Sequence, residues 1–345
     1  MTTTRPLGPA DPAQVGLYRL TRLLGEGGQG AVYLGVDPSG GQVAIKLLHA
    51  RLAQDADNRR RFLREVEAAR RVGAFGTARV LDVDLHGNQP YIVSEYIPGE
   101  SLQQLISREG PRDAGGTRRL MLATAAALKA IHDAGIVHRD FKPSNVLLGP
   151  DGTRVIDFGI ARALEGTTMQ SSAVVGTPPY MSPEQLRGDV VGPESDVFSW
   201  AVTMVFAATG RPAFGQDSMP AVFNRILHHP PELDGVPPEL RGLLAACLVK
   251  EARQRPTAGE LVRLTVGDHV PPPQQRAPAR QAPSTAVRKP ERPFVAAFVA
   301  QALVTLAIAA VFLITGQGAL TGLATLAMGG AAALILRLAA RNRRR

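Results

Sequence analysis

The alternation of apolar and polar positions divides the 345-residue chain into a polar lead, a β-rich stretch, an α-rich stretch, a proline-rich connector and a paired apolar tail. Tyr18 to Leu24 reads as a strand running into Gly25-Glu26-Gly27-Gly28-Gln29-Gly30, and the β-prone stretch Ala31 to Val36 follows. Asp37-Pro38-Ser39-Gly40-Gly41 is a turn, and Gln42 to Leu47 is a further strand. The spacing predicts a helix from Asp55 to Val72, with Phe62, Glu65, Val66 and Ala69 on one face and Glu67 on another. Arg79 to Val83 and Gln89 to Tyr96 form a predicted hairpin about His86-Gly87-Asn88. Leu120 to Ala134 is alanine-rich and apolar on nearly all sides, as expected of a helix buried inside an α-rich body.

The two ends differ from this middle. Residues 1–17 are polar, carry Pro6, Pro9 and Pro12, and read as a disordered leader rather than a cleavable signal. Residues 265–293 hold seven prolines between Pro271 and Pro293, so they read as an extended linker. Phe294 to Ile314 is 21 residues without a charge, about 30 Å as a helix, which is one hydrocarbon thickness. A second uncharged run, Ala319 to Leu336, follows a four-residue loop. A buried helix pair is the alternative, but a hairpin placed after a linker has no domain to be buried in. Two membrane spans are therefore expected, 294–314 and 319–336. Gly322, Gly329 and Gly330 would allow close helix approach.

Charge adds an orientation. Residues 269–345 hold ten Lys/Arg against the single acid Glu291, which accounts for the whole net charge of +9. In residues 1–268 the 29 basic and 29 acidic side chains cancel, so the folded part gives no reason to expect nucleic acid as a partner. Arg288, Lys289 and Arg292 precede the first apolar run, and the basic tail 337–345 follows the second. Positive-inside bias then puts both termini in the cytoplasm of a cell whose inner membrane the chain would cross twice. The single Cys247 excludes an internal disulfide framework.

Glycines at 25, 27 and 30 let a backbone lie close over phosphates, but a dinucleotide-binding turn has the same spacing. Such a turn continues into a helix, whereas this one continues into a strand. The decisive segment is Val137-His138-Arg139-Asp140-Phe141-Lys142-Pro143-Ser144-Asn145, followed by Asp157-Phe158-Gly159. Together with Val43-Ala44-Ile45-Lys46, these motifs resemble the bacterial serine/threonine branch of the protein kinase family over roughly residues 18–264.

The resemblance implies an α+β, two-lobed fold, with a small β-rich lobe carrying one helix and a larger α-rich lobe. It implies ATP as phosphoryl donor, magnesium (or manganese) as metal and protein Ser/Thr hydroxyls as acceptors. Asp140 would take the hydroxyl proton, Lys142 would stabilise the transferred charge, and Asn145 and Asp157 would hold the metal. Lys46 would grip the phosphates and pair with Glu65, the acid on the inward helix face. Leu24, Val32 and Ala44 would roof the base and Leu147 would floor it. The backbone of Glu95 and Ile97 would hold adenine beside a small Ser94. Glu184 would pair with Arg255, and Asp196 would brace the catalytic loop. Arg139 could pair with a phosphate on Thr167, Thr168, Ser171 or Ser172, placed in trans by a homodimer partner. Ser182 stands where the family has alanine, and Gly73 to Ala78 lacks the family's histidine-proline turn. The competing class is a membrane-bound pseudokinase scaffold, which the intact Lys46, Asp140, Asn145 and Asp157 disfavour.

Overall fold

The computed structural model describes residues 4–27, 30–48, 56–73, 76–85, 90–158 and 178–267. They belong to one compact unit, Met1–Arg276. The predicted spans, the basic tail, the linker beyond 267 and the four candidate phosphorylation positions lie outside the described residues.

The β-prone segments form one sheet. Its strands are β1 (Arg5–Pro6), β2 (Gln14–Val15), β3 (Tyr18–Gly27), β4 (Gly30–Val36), β5 (Gln42–Leu48), β6 (Val80–Asp84) and β7 (Tyr91–Glu95). Their order is β1-β3-β4-β5-β7-β6, with β2 also on β3, and every pairing is antiparallel. One sheet face buries Leu20, Leu23, Tyr33, Val43, Ile45, Leu47, Tyr91 and Val93 in a cluster of its own. Ile45 and Val93 have no exposed surface, and full burial of such a side chain stabilises by about 1.5–3 kcal/mol.

The leader departs from its expected disorder. Residues 4–17 cover that apolar face: Val15 is buried in the cluster, Leu7 packs against it, and β1 and β2 hydrogen-bond to β3. Composition misled here because prolines are tolerated on an edge strand, where no second ladder needs their missing N–H.

Helix α1 (Ala56–Arg70) buries Phe62, Val66 and Ala69 against Leu48, Val80, Leu85 and Ile92. Glu67 is exposed, as the periodicity predicts. Beyond α1, the segment lacking the histidine-proline turn is tied down differently. Val155 N donates to Gly76 O (2.8 Å) and Ala78 N to Val155 O (3.2 Å), and Thr77 is fully buried. Gly76 has φ +84°, and a Cβ there would stand 3.1 Å from Ala127 Cβ, so glycine serves both the turn and the close packing.

The larger lobe contains α2 (Leu102–Glu109), α3 (Ala114–Asp133), α4 (Pro183–Arg187), α5 (Pro193–Thr209), α6 (Met219–His228), α7 (Pro238–Cys247) and α8 (Ala258–Val266). A small sheet of β8 (Glu100–Ser101), β9 (Val146–Gly149) and β10 (Gly152–Val155) lies in the same lobe. α3 starts six residues before the predicted Leu120, because Asp113 caps Gly116 N and offsets the poor helix propensity of Gly115-Gly116. α8 likewise runs past residue 265, capped by the Thr257/Glu260 box. α5 is buried from Ser195 to Ala208, and Trp200 Nε1 donates to Thr124 Oγ1 on α3 at 2.8 Å.

The predicted Glu184–Arg255 pair is formed. Arg255 Nη1 and Nη2 reach the two carboxylate oxygens at 2.7 and 3.0 Å. Its remaining donors go to Glu194 O, Lys250 O and Val249 O, so all five guanidinium N–H groups are used. Burial favours the neutral Glu184 carboxyl, but Arg255 and the Ser195 hydroxyl outweigh it and hold the pKa below the usual carboxylate range.

Candidate active site

The loop 138–145 lies between α3 and β9, and α5 holds it from beneath. The Asp196 carboxylate is buried and accepts His138 N at 2.7 Å, Arg139 N at 2.7 Å and His132 Nε2 at 2.8 Å. The brace expected from the sequence is therefore present. Arg139 has φ +64°, a conformation costly for a side chain of its size. It is fixed from both sides, since Gln185 Nε2 donates to its carbonyl at 2.8 Å. Gln185 is oriented by the Ser182 capping box, which gives the serine in place of alanine a structural role.

His138 is fully buried. Its Nε2 lies 3.1 Å from the Ile156 carbonyl and its Nδ1 3.4 Å from Asp140 N. A carbonyl can only accept and an amide only donate, so the proton belongs on Nε2 and the ring is neutral. Burial pushes its pKa down despite the nearby acids, in agreement with that assignment. The ring thereby joins the backbone before Asp157 to the backbone of Asp140.

Around that frame the predicted reactive groups meet. Lys142 Nζ lies 2.7 Å from Asp140 Oδ2, and Asn145 Nδ2 donates to Asp140 O at 2.9 Å. Asn145 N–H closes a short turn on Lys142 O, and Ile156 N donates to Asn145 O, tying β9 and β10 to the same point. Lys46 Nζ stands 3.2 Å from Asp157 Oδ2, whose side chain is 38 % exposed. Burial alone would raise the Asp157 pKa, but the Lys46 ammonium outweighs it and holds the pKa below the usual value. Asp157 also has a positive φ, +57°, so Arg139, the residue before Asp140, and Asp157 both carry backbone strain.

Asn145 and Asp157 are an amide and one carboxylate, hard oxygen donors, and the amide's oxygen accepts no hydrogen bond among the described residues. Among those residues no group of three or more His, Cys, Asp or Glu could hold an ion unaided. That donor set suits magnesium, which binds through one or two carboxylates and takes its other ligands from water and phosphate.

The predicted cleft residues Leu24, Val32, Ala44 and Leu147 are all half-buried, unlike the sealed positions on the opposite sheet face. Val32 pairs with Lys46 across β4 and β5, and Ala44 with Ser94 across β5 and β7, so one surface carries apolar and cationic groups together. At the strand end Glu95 N is taken by Arg79 O, while the peptide groups of Ile97 make no hydrogen bond among the described residues. Gly25 pairs with Val32 and Gly27 with Gly30. Gly30 has φ +134° and a Cβ there would strike Leu47 O, so the hairpin itself demands glycine. At Gly27 a Cβ would meet nothing within 4 Å, so the space beside it is open.

Glu65 is a correction. Its carboxylate lies 3.7 Å from Arg139 Nη1, not against Lys46, which is engaged with Asp157. Oε2 is buried without a hydrogen-bond partner among the described residues, and burial raises the Glu65 pKa more than Arg139 lowers it. Helical periodicity predicts that this acid points inward and needs a cation. It does not distinguish a lysine on β5 from an arginine 74 positions further along the chain that the fold brings within reach. The sequence also left His132, Gln185 and Asp11 unassigned; only the Ser182-x-x-Gln185 capping spacing offered a local signal for any of them.

Residues 18–265 match the family model described as "Protein kinase domain". The chain is 48 % identical over 273 residues to the probable serine/threonine-protein kinase PkwA of Thermomonospora curvata, and 46 % identical over 255 residues to AfsK of Streptomyces coelicolor. Those alignments cover 78 % and 73 % of this chain but only 37 % and 32 % of the relatives. PknA of Mycobacterium tuberculosis is 34 % identical over 287 residues, 79 % of this chain and 67 % of that protein. Among solved structures, the kinase domain of Mycobacterium tuberculosis PknI aligns with a TM-score of 0.59 and 27 % identity, over 74 % of this chain and 98 % of that one.

Proposed function

The chain belongs to the protein kinase family, with actinobacterial serine/threonine kinases as relatives, and from that premise we propose that it transfers the γ-phosphoryl group of ATP to protein Ser/Thr hydroxyls. The observation that carries the proposal is the pairing of Lys142 and Asn145 with Asp140 and of Lys46 with Asp157, the two acids being joined through the buried His138 ring. The incoming hydroxyl loses its proton to Asp140 as its oxygen bonds to the γ-phosphorus, and the bond to the β-phosphate oxygen breaks to release ADP. Lys142, held at 2.7 Å from Asp140, supplies positive charge where the transferred group becomes most negative. Lys46 binds and orients the α- and β-phosphates, and the half-buried Leu24, Val32, Ala44 and Leu147 exclude water from the base. Magnesium, held by Asp157 and Asn145, would neutralise phosphate charge.

The predicted spans 294–314 and 319–336 anchor this activity to the cytoplasmic side of the inner membrane; positive charge flanking both runs supports that orientation. Among the described residues no helix is long and apolar enough to cross a membrane. A phosphate on Thr167, Thr168, Ser171 or Ser172, added in trans within a homodimer, would compete with Glu65 for the Arg139 guanidinium.

Incubating the purified full chain with labelled ATP, magnesium and a protein acceptor tests the reaction. Label on acceptor serine and threonine is expected, and it should vanish in Asp140→Asn. Nucleotide binding without any transfer would instead identify a scaffold. Membrane fractionation and protease protection of tagged termini test the anchor, with soluble full-length protein the contrary result.

A further inference from the structure

The segment expected to be disordered is fastened to the sheet by one part-buried carboxylate. Asp11 is 9 % exposed at its side chain. It accepts Arg5 Nη1 at 2.5 Å and Nη2 at 3.3 Å, Gly8 N at 2.6 Å and Tyr33 Oη at 2.9 Å. These donors come from three places: β1, the turn after it, and β4. The donors hold the Asp11 pKa far below the usual carboxylate range, so the group is charged at any working pH.

Where the latch sits matters more than its strength. Arg5 pairs with Leu23 and Pro6 with Arg22 on one edge of β3, and Leu23 pairs with Tyr33 on the other. On that other edge the ladder is interrupted twice, between Leu20 and Arg22 and between Leu23 and Gly25. β3 is therefore bulged on both sides of the only two residues that β1 supports. A bulge leaves a residue without its ladder partner and lets the strand bend. The second bulge leaves Leu24, the half-buried residue expected to roof the base, outside the ladder, and Gly25 begins the glycine hairpin immediately after it.

We propose that Asp11 is a positioning residue for nucleotide: through Arg5 and Tyr33 it clamps both strands of the glycine hairpin at its base and fixes the pose in which Leu24 and Gly25 meet ATP. This rests on the kinase reading. Asp11 touches no reacting group; it restricts how far the bulged hairpin can swing.

The test uses the full chain and measures equilibrium binding of a fluorescent ATP analogue, initial rates and amide exchange across residues 18–36. Asp11→Ala is expected to weaken nucleotide binding and raise the ATP KM about fivefold, as when the competent fraction of hairpin poses drops to roughly one fifth. kcat should stay within about twofold, since the Asp140 loop is untouched. Exchange should quicken in 18–36 but not in α5. Tyr33→Phe, which removes one donor and keeps the ring, should give the same signature at smaller size and decides the matter where Asp11→Ala does not fold. Asp11→Asn should fall between them. A lowered Tm with unchanged ATP KM and unchanged hairpin exchange would make Asp11 a structural staple only and overturn the proposal. Absence of nucleotide binding by the unaltered chain would refute the kinase reading instead.

Discussion

Replacing Asp196 by Asn tests the coupling between the buried helix α5 and the catalytic loop. Asp196 is 1 % exposed and accepts three donors, at 2.7, 2.7 and 2.8 Å. Oδ2 serves His138 N and His132 Nε2, and Oδ1 serves Arg139 N. Asparagine keeps the shape but has one acceptor oxygen. With that oxygen left in the Oδ2 place, its NH₂ faces the Arg139 amide, so two donors oppose each other in a buried site. A hydrogen bond to a charged group contributes about 1.5–3 kcal/mol, and a buried donor left unsatisfied costs about 1–3 kcal/mol. A loss near 3 kcal/mol lowers Tm by roughly 6–12 °C for a domain of this size.

The loss falls on Arg139, whose positive φ of 64° itself costs about 1–2 kcal/mol and is sustained by this anchor. Relaxation of Arg139 moves the next residue, Asp140, and a misplacement near 1 Å costs about 100-fold in rate. Initial rates over a range of ATP concentrations, read beside calorimetry, should show kcat about 100-fold lower with ATP KM nearly constant. Retention of wild-type kcat by a variant whose Tm has dropped would refute the reasoning: Asp196 would then support the fold without setting the geometry of Asp140.

Arg255→Ala strands the buried Glu184, and breaking such a pair costs about 3–5 kcal/mol; the double variant with Glu184→Ala should be clearly less than additive by denaturant titration. The depressed Glu184 pKa makes this contribution fully present above the unfolded carboxylate value, about 4.3, and lost as pH falls through the folded pKa. A midpoint difference between wild type and Arg255→Ala that stays constant through acid pH would contradict it. His138, with its pKa pushed down, should keep a neutral, Nε2-protonated ring in NMR titrations carried below about pH 6.5, where an ordinary histidine charges. Lys46→Met should cut phosphoryl transfer by roughly 100-fold or more and raise the Asp157 pKa by removing the cation that holds it down; transfer at wild-type rate would remove Lys46 from the mechanism.

Local chemistry made much of the molecule legible. Glycine spacing followed by a strand, the Val-Ala-Ile-Lys run, and the acid, lysine and amide within residues 140–145 are short-range patterns, and each is found where it was expected. The Glu184–Arg255 pair and the Asp196 brace also stand as the resemblance implied. The partner of Glu65 was not legible, because helical phase says that an acid faces inward but not which of two distant cations the packing brings to it. Nor was the order of residues 4–17. Their prolines and polar groups gave no sign of an apolar sheet face needing cover, or of a Tyr33 hydroxyl and an Arg5 guanidinium converging on Asp11. Periodicity and motif spacing act within a few residues along the chain, so the sequence determined the elements and which candidate side chains come together on the 140–145 segment. Charge pairing and edge covering act through space between segments far apart in sequence, so tertiary structure alone chose the partner of Glu65 and turned a loose-looking leader into part of the sheet.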